Sequence, residues 1–392
     1  MSSHHDMRLL ASGRGDAEYR RIRAARAYLS GVAEPPAPAL AGFVAEAGPC
    51  RAAEAVRRGK VPPGVAKEVE ARADHVSGER LLAAADEAGV RIVVPEDDEW
   101  PVAVFAGLAD ARSVELPGMA EPLALWVRGS AATRDVLGTG VAVVGARAAS
   151  GYGEHVAAEF GHGLTRAGFA VVSGAAYGVD GAAHRGALAA GGATAAFLAC
   201  GADIDYPAGH ARLLRVITEQ GLVVSEYPPG TPPRKHRFLV RNRLIAASGR
   251  ATVVVEAGAR SGATNTANSA DALGKPVLAV PGPVTSQNSV GCHELVRSGR
   301  AVLATRVEDV LELLNPLVGA VPCGPSVPER RTDDLSPAAQ RVHDALRGAD
   351  GAAAEEVARD CGLPLREVRA LLPELELAGL AVRTERGWSV SP

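Results

Sequence analysis

The 392-residue chain is short of several things, and each shortage excludes something. Lys60, Lys67, Lys235 and Lys275 are its four lysines, and aromatic residues make up only 4%. The lysine shortage accompanies abundant arginine and alanine, reads as codon bias, and carries no function. Formal net charge is −3, so the chain is no polycation and any nucleic-acid contact has to be a local patch. Cys50, Cys200, Cys292, Cys323 and Cys361 are odd in number and widely spaced, with no C-x-x-C. That argues against a disulfide framework or a zinc knuckle, and reduced thiols in a cytoplasmic protein are expected. No apolar run approaches the roughly 20 residues that span a bilayer, and no apolar core of a signal peptide follows Met1–Asp6. Among short signatures, G-x-x-x-x-G-K-[ST], G-x-S-x-G and H-E-x-x-H are missing, and no G-x-G-x-x-G follows the first long β-rich run.

What is present is globular: 47% hydrophobic and 22% charged residues, with 44 glycines and 26 prolines that follow no strict period. The length suits two or three domains. Residues 1–90 are rich in Ala, Arg and Glu, with helical spacing in Tyr19–Tyr28, Ala39–Ala47 and Val65–Ala84 broken at Pro35-Pro36 and Pro62-Pro63. The turn Gly59–Gly64 between short helices fits a helix-hairpin-helix that grips a DNA backbone. It equally fits a small helical (SAM-like) interaction domain, which is the plainer expectation.

From 91 to 315 the pattern changes. Arg91–Pro95 and Leu123–Arg128 read as entry strands. Val141–Gly145, Ala170–Ser173, Thr194–Ala199, Leu222–Ser225, Thr252–Glu256 and Val277–Val280 follow as short apolar runs without alternation, as expected of strands buried on both faces. Amphipathic stretches lie between them, one with Val156, Phe160 and Leu164 at spacing four, another opened by Asp180 as an N-cap. Strand, helix, strand repeated five times predicts an α/β fold with a Rossmann-like doubly wound parallel sheet. Residues 316–335 are a Pro-rich linker. Residues 336–392 hold three helical stretches and a hairpin, the pattern of a winged helix. Its third helix carries Arg366 and Arg369 among Glu367, Glu374 and Glu376, so a protein-contact or structural role is expected rather than sequence reading in the major groove.

In an open α/β sheet, ligands sit beyond the carboxyl ends of the strands, where helix N-termini present free N–H groups. The loops there are rich in Gly, Ser and Thr: Gly145 to Gly153 with Arg147, Ser173 to Asp180, Cys200 to Pro207, and Ala257 to Thr264 with Ser261 and Gly262. Glycine admits close approach and arginine adds a positive fork, so together the loops predict a cradle for phosphate oxygens. Asp180 and His184 stand four apart without a third ligand, so a helix cap and a packed histidine are expected, and no metal. No nucleophile-and-base pair is visible, and neither a catalytic residue nor a cofactor is expected.

Two features favour a polymer over a mononucleotide. Residues 234–250 hold six Lys/Arg and no acid: Arg234, Lys235, Arg237, Arg241, Arg243 and Arg250. Tyr152, Tyr177, Tyr206 and Tyr227 all follow strands, on the expected site edge, and Phe238 lies within the basic run. Cations interleaved with rings suit single strands, where a stacked base is worth about 1–3 kcal/mol. Loop packing would explain the tyrosines, and an exposed helix face the charges, as well.

At these residues the chain resembles the DNA-processing protein A (DprA, or Smf) family. The shared segments are VAVVGAR, VSGAAYGVDGAAHRGAL, GADIDYP, SEYPPG, RNRLIAASG, ARSGATNTA and VLAVPGP, in that order between 91 and 315. The resemblance implies a non-catalytic, cytoplasmic protein that binds and protects incoming single-stranded DNA in natural transformation or recombination. It also implies help in loading the RecA recombinase, and a homodimer. It places Gly145, Arg147, Ser173, Gly174, Lys235, Phe238, Arg241, Asn242, Arg243, Ser261 and Gly262 at the DNA site. Arg147, Lys235 and the Ser173-Gly174 backbone would meet phosphates and Phe238 a base, while Asn242 and Arg243 would shape the pocket. The rival from another class is a LOG-type nucleotide phosphoribohydrolase, or a nucleotide-sensing module with the same sheet. The hydrolase needs an acid just inside the helix after its Gly-rich loop, where this chain has Asn265 and Thr266.

Overall fold

The computed structural model describes residues 13–113, 116, 118–314, 332, 335–346 and 351–391. The chain divides into two compact units, Met1–Val318 and Gly319–Pro392. Most of the predicted linker, 316–335, lies outside the described residues, as do Met1–Asp6 and Cys323. Cys50, Cys200, Cys292 and Cys361 are free thiols.

The larger unit is built on nine strands: β1 Arg91–Val93, β2 Leu125–Arg128, β3 Gly140–Val144, β4 Ala170–Ser173, β5 Thr194–Leu198, β6 Leu222–Ser225, β7 Thr252–Val254, β8 Val277–Ala279 and β9 Val302–Leu303. Their order is β1-β2-β6-β5-β4-β3-β7-β8-β9. From β6 to β9 all neighbours are parallel, and the two entry strands add an antiparallel edge. Adjacent residues of a strand face opposite layers. Ala142 and Val144 pack with Leu244, Ile245 and Ala267 on one face. Val141 and Val143 pack with Val156, Phe160 and Leu164 on the other. The sheet is therefore doubly wound. Chain order runs outward from β3 through β4 and β5 to β6, then jumps back to β7 beside β3, so the switch point lies between β3 and β7.

Among the described residues five helices precede the sheet: Gly13–Val32, Pro38–Ala47, Pro49–Arg57, Pro63–Val69 and Gly78–Glu87. The expected helical stretch Val65–Ala84 is two helices, because the chain turns over residues 70–77 and Ser77 caps the second by accepting from the Arg80 N–H. Two features lacked a sequence signal. Helix Pro49–Arg57 opens directly on Gly48, and β9 is a two-residue exposed edge.

Glu34 ties this helical region to the sheet unit. Its carboxylate accepts from Arg237 at 2.7 and 2.9 Å, from Arg72 at 2.6 Å, and lies 3.0 Å from His236 Nε2. Burial alone would raise its pKa, but these donors overcome that and hold it near 2, below its ordinary 4.5.

The smaller unit has helices Pro337–Asp344, Ala354–Cys361 and Leu365–Leu377, then strands β10 Ala381–Thr384 and β11 Gly387–Val390 paired antiparallel. Gly362, with φ of 69°, ends the second helix in the left-handed conformation that favours glycine. Val342, Val357, Val368, Leu372 and Leu375 form its core. Arg369 on the third helix is paired with Glu355, which removes one of that helix's few cations.

A carboxylate whose pKa is depressed by folding adds stability above its unfolded pKa, and loses it as pH falls towards the folded value. Glu34→Gln is therefore expected to melt below the wild type at neutral pH. The gap should close as pH falls from about 4.5 towards about 2. Thermal unfolding of both proteins across that range checks it; a gap independent of pH would mean the charge is not what stabilises.

Candidate nucleic-acid interface

Helix Lys235–Ser248 begins beyond the carboxyl ends of the strands, where Arg241 meets Gly174 and Phe197, and runs along one sheet face to the amino edge at Gly140. Lys235, Phe238, Arg241, Asn242 and Ile245 recur at helical spacing and share one face. That face, the loop after β3, the loop after β7 and helix Gly262–Ala272 enclose a pocket of about 660 Å³ at the switch point. Gly145, Arg147, Lys235, Phe238, Arg241, Asn242, Ser261 and Gly262 all line it. Ser173, Gly174 and Arg243 do not.

Arg147 and Lys235 are exposed at the mouth, with no ion-pair partner among the described residues. The Arg147 guanidinium lies 4.9 Å from the Phe238 ring centre, and the Phe238 ring is 5.5 Å from Tyr206 at a 42° tilt. One wall is thus a continuous cation–ring–ring series. Opposite it, Ser261 caps helix Gly262–Ala272 by accepting from the Thr264 N–H at 3.2 Å. The N–H groups of Gly262 and Ala263 precede the first helical bond, so this end of the helix can hold an anion. Asn242 donates to the Gly262 carbonyl and Asn265 Oδ1, both at 3.1 Å, and so fixes that loop.

Arg241 forms the floor. It is 5% exposed and donates to the carbonyls of Gly174 and Phe197 at the ends of β4 and β5. Burial draws its pKa down to about 10, which leaves it charged at neutral pH, and buried Asp180 supports the charge. Burial raises the Asp180 carboxyl, which accepts from the N–H groups of Gly174 and Ala176 at 3.2 and 3.3 Å. Asp180 is therefore not the N-cap expected of it. Gly178 takes that place with φ of 72°, and Asp180 reaches back to brace the preceding loop. His184 packs in the interior, 2.7 Å from the Thr194 hydroxyl.

Ser173 and Gly174 have a different setting from the expected phosphate contact. The Ser173 hydroxyl donates to the Val143 carbonyl at 2.6 Å, the Gly174 N–H goes to Asp180 and its carbonyl to Arg241. A Cβ at Gly174 would lie 2.4 Å from Arg241 Nη1, so Gly174 lies directly against the floor, while Ser173 ties β4 to β3. Arg243 is 2% exposed and forms a two-pronged pair with Glu226 at 2.7 and 2.8 Å. The rest of the basic run also disperses. Arg237 goes to Glu34, while Arg250 lies at the amino edge of the sheet beside Phe169. Tyr227, expected on the site edge, is 2% exposed beneath Arg237.

Asn288 carried no signal in the sequence, and Glu256, the acid before the Gly-rich loop, serves the neighbouring helix. Asn288, from the loop after β8, lines the pocket and donates to the Ala148 carbonyl at 3.0 Å. Glu256 accepts from the Ser150 N–H at 2.9 Å and its hydroxyl at 2.6 Å, at the N-terminus of helix Gly151–Arg166. That carboxylate occupies the neighbouring helix N-terminus and leaves the Gly262 one open. No group of three or more His, Cys, Asp or Glu able to hold a metal occurs among the described residues.

Cations at the mouth, an open helix N-terminus and two aromatic rings in contact make this an α/β module suited to phosphate-bearing ligands with planar rings. Comparison with known proteins is specific. Residues 91–315 match the family model of DNA recombination-mediator protein A, and 326–385 match that of the DprA winged helix domain. A Mycobacterium tuberculosis H37Rv relative bearing the DprA name is 48% identical over 364 residues, 93% of both chains. Protein Smf of Escherichia coli K12 is 38% identical over 253 residues, 63% of this chain and 67% of Smf. The X-ray structure of DprA from Streptococcus pneumoniae aligns with a TM-score of 0.60 at 30% identity, over 75% of this chain and 96% of that one. The chain belongs to the DNA recombination-mediator protein A (DprA) family.

Removing one member of a buried ion pair leaves the other charge uncompensated, at about 3–5 kcal/mol. Arg243→Ala is expected to lose that much in urea unfolding, whereas Lys235→Ala, at an exposed and unpaired position, should unfold like the wild type. Equal stability of all three proteins would contradict the inward role of Arg243.

Proposed function

We propose that the switch-point pocket binds single-stranded DNA without strong sequence preference, and that nothing is cleaved there. The observation that carries this reading is the wall in which Arg147 lies over Phe238 and Phe238 meets Tyr206, beside the open N-terminus at Gly262. Arg147, Lys235 and the Gly262–Ala263 N–H groups serve phosphate oxygens, Arg241 supplies charge from below, and Phe238 stacks on a base. A duplex keeps its base faces covered, and only an unpaired strand offers one to Phe238. Gly174 acts by holding Arg241 through its carbonyl, Ser173 by tying the end of β4 to Val143, and Asn242 by holding the Gly262 loop.

The hydrolase alternative is disfavoured by the same geometry. Its acid would have to meet a ribose, yet Glu256 has both carboxylate oxygens engaged by Ser150, and Asn265 holds the position after the loop. The names DNA recombination-mediator protein and DNA processing protein in the family support a role in recombination. On the family resemblance we extend the proposal to a cytoplasmic homodimer. It would protect incoming strands in natural transformation and help load RecA. No helix among the described residues is long and apolar enough to cross a membrane.

Each phosphate contact with a single strand contributes about −0.7 to the slope of log affinity against log salt. Arg147→Ala and Lys235→Ala are each expected to weaken oligothymidylate binding and flatten that slope by about 0.7. Phe238→Ala should cost about 1–3 kcal/mol at any salt concentration. Fluorescence anisotropy titrations at two salt levels measure both. Wild-type affinity in both cation variants would move the site elsewhere, and release of ribose 5-phosphate from nucleotides would restore the hydrolase.

A further inference from the structure

The loop after β4 presents an aromatic side chain that the pocket does not use. Ala175 in that loop has φ of 52°, and it is the one non-glycine residue with positive φ among the described residues. An alanine held there is strained, and such strain persists only where the surroundings impose it. Here they do: the Ala175 carbonyl lies 3.0 Å from His210 Nδ1, and the Ala176 N–H is held by Asp180. The next residue, Tyr177, is turned outward and is 49% exposed.

Tyr177 is not a loose loop residue. Its hydroxyl accepts from the Gly209 N–H at 3.2 Å, and its ring meets the His210 ring edge-on at 4.8 Å. Gly209 stands three residues after Tyr206, a reach of at most about 11 Å along the chain. Tyr206 itself is 38% exposed and ends the wall that begins at Arg147. From half-buried Phe238 the rings therefore continue past the pocket to exposed Tyr206 and then exposed Tyr177. A cation accompanies the last one. Arg185 is exposed and has no ion-pair partner among the described residues. Its guanidinium and the His210 ring both rest over Gly181, within 3.2 and 2.6 Å of the point a Cβ would occupy. A ring with half its surface open, fixed by its neighbours and flanked by an unpaired guanidinium, has what a nucleotide needs: a base platform and a phosphate partner.

We propose that Tyr177 and Arg185 form a second nucleotide station, which carries a single strand outward from the pocket over Tyr206. The proposal rests on the single-strand reading of the pocket, and its test separates the two. The full-length protein is titrated with labelled oligothymidylates of about 4 and about 12 nucleotides, one filling the pocket and one able to reach beyond it. Tyr177→Ala is expected to bind the short strand like the wild type and to lose roughly 5- to 100-fold on the long one. Tyr177→Phe keeps the ring and should match the wild type on both. Arg185→Ala should flatten the salt slope by about 0.7 on the long strand alone.

Wild-type affinity of Tyr177→Ala on both strands would overturn the station. So would equal losses on both strands, which would make Tyr177 a prop for the pocket. A Phe variant as weak as the Ala variant would assign the effect to the Gly209 bond and overturn it too. Binding of neither strand by the wild type would instead sink the single-strand reading itself, and the station with it.

Discussion

A guanidinium placed under a loop needs carbonyl oxygens around it, and Arg241 finds them at Gly174 and Phe197, where β4 and β5 end. This contact fixes helix Lys235–Ser248 against the sheet edge. The same helix carries Lys235 and Phe238, so their position at the mouth is inherited from a bond made at the floor. The cost of burying the charge is lowered by Asp180, whose carboxylate also gathers the Gly174 and Ala176 N–H groups. Glycine at 174 is a requirement of this arrangement, since a methyl group would collide with the guanidinium.

One basic segment serves several ends. Arg237 docks the N-terminal helices through Glu34, Arg243 locks the helix inward through Glu226, and Arg241 supports the pocket. Only Lys235, joined by Arg147 from another loop, keeps an exposed charge in the pocket lining. Arg234 beside Lys235 and Arg260 in the loop after β7 are exposed as well, but with Arg237, Arg241 and Arg243 engaged the free charge of the run is smaller than its six cations suggest. Free cations beside Phe238 suit a ligand whose charges are spaced along a chain and alternate with flat bases.

The sheet was legible because strands covered on both faces must be short and apolar throughout, as in Val141–Val144 and Leu222–Val224. The crevice was legible because ligands of an open α/β sheet sit beyond the carboxyl ends of its strands, where the glycine-rich loops fall, whereas the position of the switch point between β3 and β7 came from the sheet order. Partner choice was not legible. Nothing near Arg237 or Arg243 in the chain announces Glu34 or Glu226, and the same holds for Tyr227, whose burial follows from Arg237 lying over it. Asp180 looked like a cap because a carboxylate before a helix usually is one. Here a glycine with positive φ starts the helix earlier and frees the carboxylate for the loop. Helix Val65–Ala84 failed for a related reason: helical spacing on both sides hides a turn that only Ser77-Gly78 marks.

Glu256 has a consequence for how a strand is sensed at a distance. The N-terminus of the helix behind Ser150 is engaged by the protein's own carboxylate, which never diffuses away. That helix adds little to the outward field of this edge, which is left to the open N-terminus at Gly262 and to the side-chain cations. Their reach is set by the surrounding electrolyte, about 8 Å at physiological ionic strength. Capture thus begins only when a polyanion already grazes the rim, and the ionic strength of the cell governs the radius of first encounter.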